Sequence, residues 1–207
     1  PNTANIDSVR TVYVEDFKDT NDKTPVLRKL SVVAGKPIGF DTLKDTTTYT
    51  QLNKRRLLSF LGFDNTIKLG VVQSLLNIDG TLPIDAVNIT NTMTLAAPTQ
   101  ETRVLGGVIH SKPTAISYSA TLDENGRVTD DLSKRDDYVL FGSMDGALHL
   151  ADSDDGKEAV AIIPRSMMIN QAEALVPNST KANVGQPYFG VDAPWLVTTD
   201  YKYDLPT

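Results

Sequence analysis

The sequence predicts a mainly β fold with one or two short helices, and three observations favour this class. Short runs rich in β-branched and aromatic residues recur along the chain. Acidic-glycine turns separate the later runs, at residues 123–126, 144–146 and 154–156, and such turns supply the positive φ that hairpins need. One stretch, residues 49–63, instead spaces its leucines and phenylalanines as a helix does.

The first half of the chain contains two predicted strands, a helix and then shorter β-rich pieces. The strands are expected at residues 9–17 and 27–33, with a polar loop between them. The helix at residues 49–63 has Gly62 at its end, which suits a helix C-cap. The β-rich pieces follow at residues 69–76 and 86–95.

The second half is predicted to be a succession of strands. They are expected at residues 104–109, 114–122, 137–142, 147–151 and 158–163. The last three, joined by two tight turns, make a meander, which is the material of a propeller blade or of one sheet of a sandwich. The aspartates of these turns, Asp145, Asp154 and Asp155, are interpreted as turn residues rather than catalytic groups, because aspartate bonds nearby backbone amides in such turns.

Composition excludes several partners and sites. The formal net charge is -6 without long blocks of like charge, which argues against nucleic acid and anionic lipid as partners. Cysteine is absent and there are two histidines, so disulfides, thiolate metal sites and imidazole-rich metal sites are not supported. No apolar run is long enough to span a membrane.

Several segments, in consistent order and spacing, carry a family resemblance. They are VLFGSMDGALHLAD (residues 139–152), DGKE (155–158), AIIP (161–164) and PYFGVD (187–192), preceded by LGGVIHSKP (105–113) and LLSFLG (57–62). Together they resemble the C-terminal domain of the PilC/PilY1 proteins associated with bacterial type IV pili. The chain departs from the usual family residues at Gly107, Ser143, Met144, Ala151 and Ala193.

This resemblance implies a modified β-propeller. Residues 50–207 would be the propeller portion, and residues 1–49 an N-terminal β segment with no assignment. The family's domain continues past the position of Thr207, and a blade takes roughly 40 to 45 residues. Residues after 103 therefore supply two or three blades, and we expect the propeller portion either to be truncated at its C-terminus or to be reduced in a divergent member.

The function that the resemblance implies is non-enzymatic. The chain would be a surface module of a type IV pilus biogenesis or tip adhesion protein, located at the bacterial cell surface, the pilus tip or the outer membrane. Its loops would contact minor pilins or the pilus tip complex, or a host-surface receptor. Unpaired strand edges also predict self-association. The single tryptophan, Trp195, is either a core residue or an exposed contact residue.

Two other function classes are open. Residues 138–158 also resemble the repeated blade of pyrroloquinoline-quinone dehydrogenases, although here the repeat occurs once, which leaves a quinoprotein-like propeller enzyme as an alternative. A carbohydrate-binding β-domain is the second. A hydrolase triad built from His110 and Ser111, or from Asp145 and His149, lacks the Gly-x-Ser-x-Gly elbow, and no catalytic residue is assigned.

Calcium is the one cofactor that the family implies, for the full-length protein, and its known loop lies in a part that this chain does not contain. Two local stretches imitate the spacing of oxygen donors in such a loop. The first offers Asn77, Asp79, Thr81 and Asp85; the second offers Asp123, Asn125 and Asp131. The simpler interpretation of both is a hairpin or loop turn whose acids face water.

Overall fold

The structure is a computed structural model that describes residues 10–63, 89–91, 94–95, 105–176 and 188–202. Its strands are β1 (Val12–Phe17), β2 (Pro25–Val33), β3 (Lys36–Ile38), β4 (Thr114–Ala120), β5 (Arg135–Gly142), β6 (Leu148–Asp152) and β7 (Glu158–Ile163). Its helices are α1 (Gln51–Phe60) and α2 (Arg165–Asn170), with 3-10 turns at Phe40–Thr42, Leu132–Lys134 and Ala172–Leu175. The described part of the chain is therefore mainly β with few helices, as predicted.

The strands form one open, mixed sheet of seven strands in the order β3-β2-β1-β7-β6-β5-β4. Neighbours are antiparallel except β1 and β7, which run parallel with Val12 opposite Ala161. Strands β4 to β7 form an antiparallel meander, which includes the meander predicted around residues 138–164. Strands β1 to β3 come from the N-terminal segment, so both of the units predicted from the sequence contribute strands to the same sheet.

Turns with positive-φ glycines join the meander strands, as the sequence predicts. Gly146 has φ 95 between β5 and β6, and Gly156 has φ 69 between β6 and β7. The carboxylate of Asp155 accepts the backbone N–H of Lys157 at 2.9 Å, and that of Asp145 accepts the N–H of Ala147 at 3.1 Å. Both aspartates therefore shape their turns, but Asp145 is buried and has further partners.

Helix α1 is capped at both ends. The Thr50 side chain accepts the N–H of Asn53 at 3.3 Å, which satisfies a free donor of the first turn. Gly62 follows the helix with φ 96, and the N–H of Phe63 reaches back to the carbonyl of Leu58 at 3.1 Å. The helix is shorter than the predicted residues 49–63, because the outer residues of that stretch form these caps.

One hydrophobic cluster lies between the sheet and the helices. It takes Val12 and Val14 from β1, Leu30 and Val32 from β2, Ile163 from β7, Leu57, Leu58 and Phe60 from α1, and Met167, Met168 and Leu175 from the C-terminal helical turns. The alternation of buried residues along β1 follows the two-residue period of a strand. Burial of these side chains fixes the sheet on which the candidate site is built.

The strand predicted at residues 104–109 is wrong for the residues that the structure describes. Residues 105–113 are irregular, because their backbone N–H groups bind carboxylates instead of a neighbouring strand. Gly106 donates to Asp145 at 3.1 Å, and Ile109 donates to Asp192 at 3.0 Å. The strand predicted at residues 69–76 lies outside the described residues, as does most of that at 86–95.

No helix within the described ranges combines the length and apolar character that a membrane span requires.

The two end strands of the sheet differ in how they are protected. Strand β3 has three residues and contains Lys36 and Pro37, and short length, lysine and proline all discourage pairing with another chain. Strand β4 has seven residues, TAISYSA, without a charge. A register shift between Ser117 and Ser119 is its one irregularity. Among the described residues no strand pairs with the outer edge of β4, where the hydroxyl of Tyr201 donates to the carbonyl of Ser117 at 3.0 Å.

We predict that the protein self-associates through β4. Introducing a charge in this strand by Ile116→Lys should shift the protein toward the monomer, because the charge would lie at the new strand pair. Ile38→Lys on β3 is the matched control and should leave association unchanged. Sedimentation velocity over a hundredfold concentration series measures the effect, and a wild-type protein that stays monomeric throughout contradicts it.

Candidate functional site: a clasp of signature segments

Three segments that carry the family resemblance meet at one end of the β5–β6 hairpin. They are residues 106–111, residues 142–145 and residues 190–192, and we call their junction the clasp. Met144 donates its N–H to the carbonyl of Gly107 at 3.0 Å, and Val191 donates its N–H to the carbonyl of Ser143 at 3.0 Å. The middle segment therefore binds the other two through its backbone.

Asp192 joins the first and third segments of the clasp. Its carboxylate accepts the backbone N–H groups of Ile109, His110 and Ser111 at 3.0, 2.9 and 2.8 Å. The Nδ1 of His110 lies 3.1 Å from the same carboxylate. Burial raises the pKa of Asp192, but these backbone hydrogen bonds outweigh burial and hold the pKa below its ordinary value. The carboxylate is thus a fixed anion that orders an otherwise irregular loop.

The glycines of the clasp allow its backbones to approach closely. A Cβ on Gly142 would lie 2.0 Å from the carbonyl oxygen of Val191, and one on Gly106 would lie 2.2 Å from the backbone nitrogen of Asp145. Gly142 also donates its N–H to the Oγ of Ser111 at 2.8 Å. Glycine is therefore required at both positions by space rather than by turn conformation.

Trp195 closes the third segment. Its Nε1 donates to the carbonyl of Val191 at 3.0 Å, and the side chain is half-buried beside Gly142. The tryptophan is therefore neither a core residue nor a free contact residue. It supports the backbone that lies against Gly142, and it gives the clasp a spectroscopic reporter because the chain has one tryptophan.

A buried polar network lies directly behind the clasp. His149 on β6 places its Nδ1 2.6 Å from Glu158 of β7, and its Nε2 lies 3.1 Å from Asp145 and 2.9 Å from the Oγ of Ser143. Ser143 also donates to Asp145, and Arg10 pairs with Glu158 at 2.7 Å. His149, Asp145 and Ser143 are each at most 2% exposed.

The ionisation of this network follows from its contacts. Burial lowers the pKa of His149, but the hydrogen bonds and negative charges of Asp145 and Glu158 outweigh burial and raise the pKa above its ordinary value. Burial raises the pKa of Asp145, and the hydrogen bond and positive charge of His149 outweigh it and lower that pKa. The network therefore favours a charged imidazole between two carboxylates.

The connectivity Ser143–His149–Glu158 has the order of a serine hydrolase triad. Ser143 is 0% exposed and His149 is 1% exposed, so the hydroxyl has no surface on which to meet a substrate. The other imagined pair, His110 and Ser111, is also occupied: His110 contacts Asp192, and the Oγ of Ser111 accepts the N–H of Gly142. These contacts hold segments together and do not present a nucleophile.

Exposed apolar side chains lie on or beside the two segments that Asp192 joins. Ile109, in the first segment, is 68% exposed, and Leu105, just before that segment, is 62% exposed. Phe189 and Leu196, on either side of Asp192, are 58% and 89% exposed. Large apolar side chains exposed in number mark interaction surfaces in soluble proteins. We call these four residues the apolar rim of the clasp.

The two predicted calcium loops have different outcomes. Asn77, Asp79, Thr81 and Asp85 lie outside the described residues. In the second loop the carboxylate of Asp123 accepts the N–H groups of Asn125 and Arg127 at 2.9 and 2.8 Å, and the carboxylate of Asp131 accepts the N–H of Ser133 at 3.1 Å. Each of these two carboxylates therefore stabilises its own backbone turn.

Metal binding by the second loop stays a prediction. Asp123 and Asp131 are exposed, and Asn125 is drawn toward Asp123 by its own N–H. Among the residues that the structure describes, no three His, Cys, Asp or Glu side chains are grouped so as to hold a metal ion. A calcium ion at this loop would have to add backbone carbonyls and water to the two carboxylates.

The sequence pairs Asp145 with His149, which do contact each other, but it does not indicate the parts of Ser143 and Glu158 in the network. It presents Asp192 as part of a resembling motif and not as the residue that joins two segments. A usable signal was present in GSMDGALHL, residues 142–150, where serine, aspartate and histidine lie at alternating positions of a hairpin. Residues on one face of a hairpin are neighbours either directly or diagonally across the strands, so this spacing predicts contact between them.

No family model, curated protein or solved structure matched the chain in three separate comparisons.

Proposed function

We propose that this chain is a non-enzymatic surface module of a type IV pilus biogenesis or tip adhesion protein of the PilC/PilY1 kind. The observation that carries the proposal is the clasp. Segments that resemble the family at residues 105–113, 139–152 and 187–192 are far apart in the sequence, yet Asp192, Ser111 and Gly142 join them through direct hydrogen bonds. A signature whose parts interlock is better explained as one inherited structural unit than as separate coincidences of turn sequence.

The meander supports the same proposal. A propeller blade is a four-stranded antiparallel meander, and β4 to β7 have that arrangement. We propose that these strands correspond to one blade of a modified propeller. The parallel addition of β1 beside β7 is then the modification, since it extends the blade into a wider sheet.

The apolar rim is the proposed contact surface. Ile109 projects from a loop that the buried carboxylate of Asp192 holds in place, and Leu196 follows Trp195, whose Nε1 binds the carbonyl of Val191. Preorganised apolar side chains bind with a smaller loss of conformational entropy. The proposed partners are minor pilins or the pilus tip complex, with a host-surface receptor as the alternative, at the bacterial surface, the pilus tip or the outer membrane.

A sealed network favours a binding role over catalysis. The one triad-like arrangement in the described ranges has its serine and histidine buried. Its hydrogen bonds hold β5, β6 and β7 together. Calcium would act in the complete protein, and the loop around Asp123 and Asp131 is the described candidate for a local calcium contribution.

Deletion of the gene in its source bacterium, followed by replacement with variant genes, tests this function. We expect deletion to abolish most surface pili and twitching motility, and the double variant Ile109→Asp, Leu196→Asp to reproduce the loss while the purified variant keeps the far-ultraviolet circular dichroism of the wild type. Leu27→Asp, at an apolar site on β2 that is 53% exposed, is the control and should restore pili.

Normal piliation in the deletion strain would contradict the proposal. Two further measurements separate the alternatives. Dye-linked dehydrogenase activity after addition of pyrroloquinoline quinone would favour the enzyme, and reproducible binding on a glycan array would favour the carbohydrate-binding domain.

A further inference from the structure

The contacts of His149 in the buried network behind the clasp indicate which of its ring nitrogens carry a proton. Both ring nitrogens of His149 face carboxylates, Glu158 at 2.6 Å and Asp145 at 3.1 Å. A charged imidazole donates from both nitrogens, whereas a neutral one donates from a single nitrogen. The charged form therefore satisfies both carboxylates, and the neutral form leaves a ring lone pair facing one of them.

The hydroxyl of Ser143 has two acceptors within reach and one proton to give. It donates to Asp145 while its oxygen lies 2.9 Å from the Nε2 of His149. If His149 loses the Nε2 proton, the hydroxyl can satisfy that nitrogen only by leaving Asp145. Loss of one proton from His149 therefore removes two hydrogen bonds from the buried Asp145 carboxylate.

The charge balance changes with the same proton. Among the described residues, the charged groups that face His149 are Asp145 from the β5–β6 turn and Glu158 from β7, with Arg10 on the far side of Glu158. On β5 the ring of Phe141 stacks on His149 at 5.2 Å and carries no charge. With His149 charged the four ionisable groups sum to zero; with His149 neutral, a buried negative charge is uncompensated.

Asp145 passes this change to the clasp. Its carboxylate accepts the N–H of Gly106 at 3.1 Å and that of Ala147 at 3.1 Å, and the adjacent Met144 binds the carbonyl of Gly107. An uncompensated Asp145 carboxylate is stabilised by moving toward water. Such a movement would open the turn at residues 143–147 and release Gly106 and Gly107, whereas Asp192 would still hold residues 109–111.

We propose that Ser143, Asp145, His149 and Glu158 form a proton-operated lock on the clasp: the charged imidazole keeps the loop at residues 105–107 fixed, and loss of its proton frees this loop. The lock does not depend on the proposed pilus function. Its direction follows from the raised pKa of His149. The stabilisation is complete below pH 6.5, the ordinary value for histidine, and is lost as pH rises through the higher value in the folded protein.

Nuclear magnetic resonance of the wild-type protein between pH 5 and 9.5 tests the lock. The chain has two histidines, and the spectrum of His110→Gln assigns the ring signals of His149. We expect His149 to titrate with a midpoint above 6.5, and the backbone amides of residues 105–107 and the fluorescence of Trp195 to change with the same midpoint. In the double variant His110→Gln, His149→Gln the loop amides and the fluorescence should not respond to pH in this range.

Ser143→Ala tests whether the hydroxyl of Ser143 takes part in the lock or is only a structural contact. Without the hydroxyl, neutral His149 has no donor for Nε2, so the midpoint of His149 should move upward. This variant and the wild-type titration also decide the matter if the double variant does not fold. The proposal is overturned if His149 titrates at or below 6.5, if it stays charged up to pH 9.5, or if the loop amides do not follow its titration.

Discussion

Gly142→Ala is expected to destabilise the protein by about 3 kcal/mol, the upper end of what overpacking costs. The new Cβ would lie 2.0 Å from the carbonyl oxygen of Val191 and 2.7 Å from the Nε1 of Trp195. Neither atom can easily move aside, since the carbonyl oxygen belongs to the backbone and the indole Nε1 is hydrogen-bonded to that carbonyl. The clasp must therefore separate to accommodate one methyl group.

Urea unfolding followed by two signals measures this effect. Far-ultraviolet circular dichroism reports the sheet, and Trp195 fluorescence reports the clasp. We expect the fluorescence transition of Gly142→Ala to shift to lower urea more than the dichroism transition, because the segment around Val191 detaches first.

Gly107→Ala is the matched control for Gly142→Ala. Its Cβ would meet the Sδ of Met144 at 3.1 Å, and a methionine side chain can move aside. It should therefore cost well under 1 kcal/mol, within the ordinary range of surface substitutions. Equal effects of the two glycine substitutions would show that the clasp is not closely packed.

Asp16→Ala should cost about 3 to 5 kcal/mol, as expected when one partner of a buried ion pair is removed. Asp16 is 0% exposed. Its carboxylate accepts the Nε of Arg28 at 2.7 Å and the backbone N–H groups of Lys44 and Asp45 at 2.7 and 2.9 Å. Alanine leaves the Nε of Arg28 and the two backbone donors without this acceptor, while the guanidinium keeps its bonds to the carbonyls of Phe17 and Lys18.

The effect of Asp16→Ala extends to the neighbouring carboxylate. Burial raises the pKa of Asp45, but hydrogen bonds from Thr48 and Arg165 outweigh it and lower the pKa to about 2. Asp45 depends on the same loop that Asp16 holds. Chemical unfolding at pH 7 measures the cost, with Asp19→Ala in the exposed turn after β1 as the control. A loss below about 1 kcal/mol for Asp16→Ala would show that water replaces its contacts.

Local chemistry explains which features the sequence predicted. The turns at Gly146 and Gly156 were found because an aspartate and a positive-φ glycine define a hairpin turn by themselves. The strand at residues 9–17 is predicted by its β-branched and aromatic residues, and β1 forms there. The two-residue period of the strand also places Asp16 on the buried face of β1. Nothing near Asp16 in the sequence indicates that Arg28 and the backbone N–H groups of residues 44–45 will donate to its carboxylate.

Competition for backbone hydrogen bonds explains what the sequence did not predict. Residues 105–109 have a composition typical of a strand, yet Asp145 and Asp192 accept their N–H groups. Both carboxylates lie far along the chain from the loop that they order. The clasp was therefore visible from the sequence as three resembling segments, whereas their contacts required the fold. The parallel pairing of β1 with β7 was likewise beyond any local pattern.

That parallel pairing constrains the order in which the polypeptide can fold during synthesis. Strands β1 and β2 form a local hairpin and can pair as soon as both have left the ribosome, whereas the other side of β1 waits for β7, with Val12 opposite Ala161. Contacts between such distant residues slow folding. Until β7 emerges, the early hairpin exposes an apolar face and a free strand edge, the features by which nascent chains aggregate. Among the described strands, the N-terminal hairpin is therefore expected to wait longest for its remaining sheet partner during synthesis.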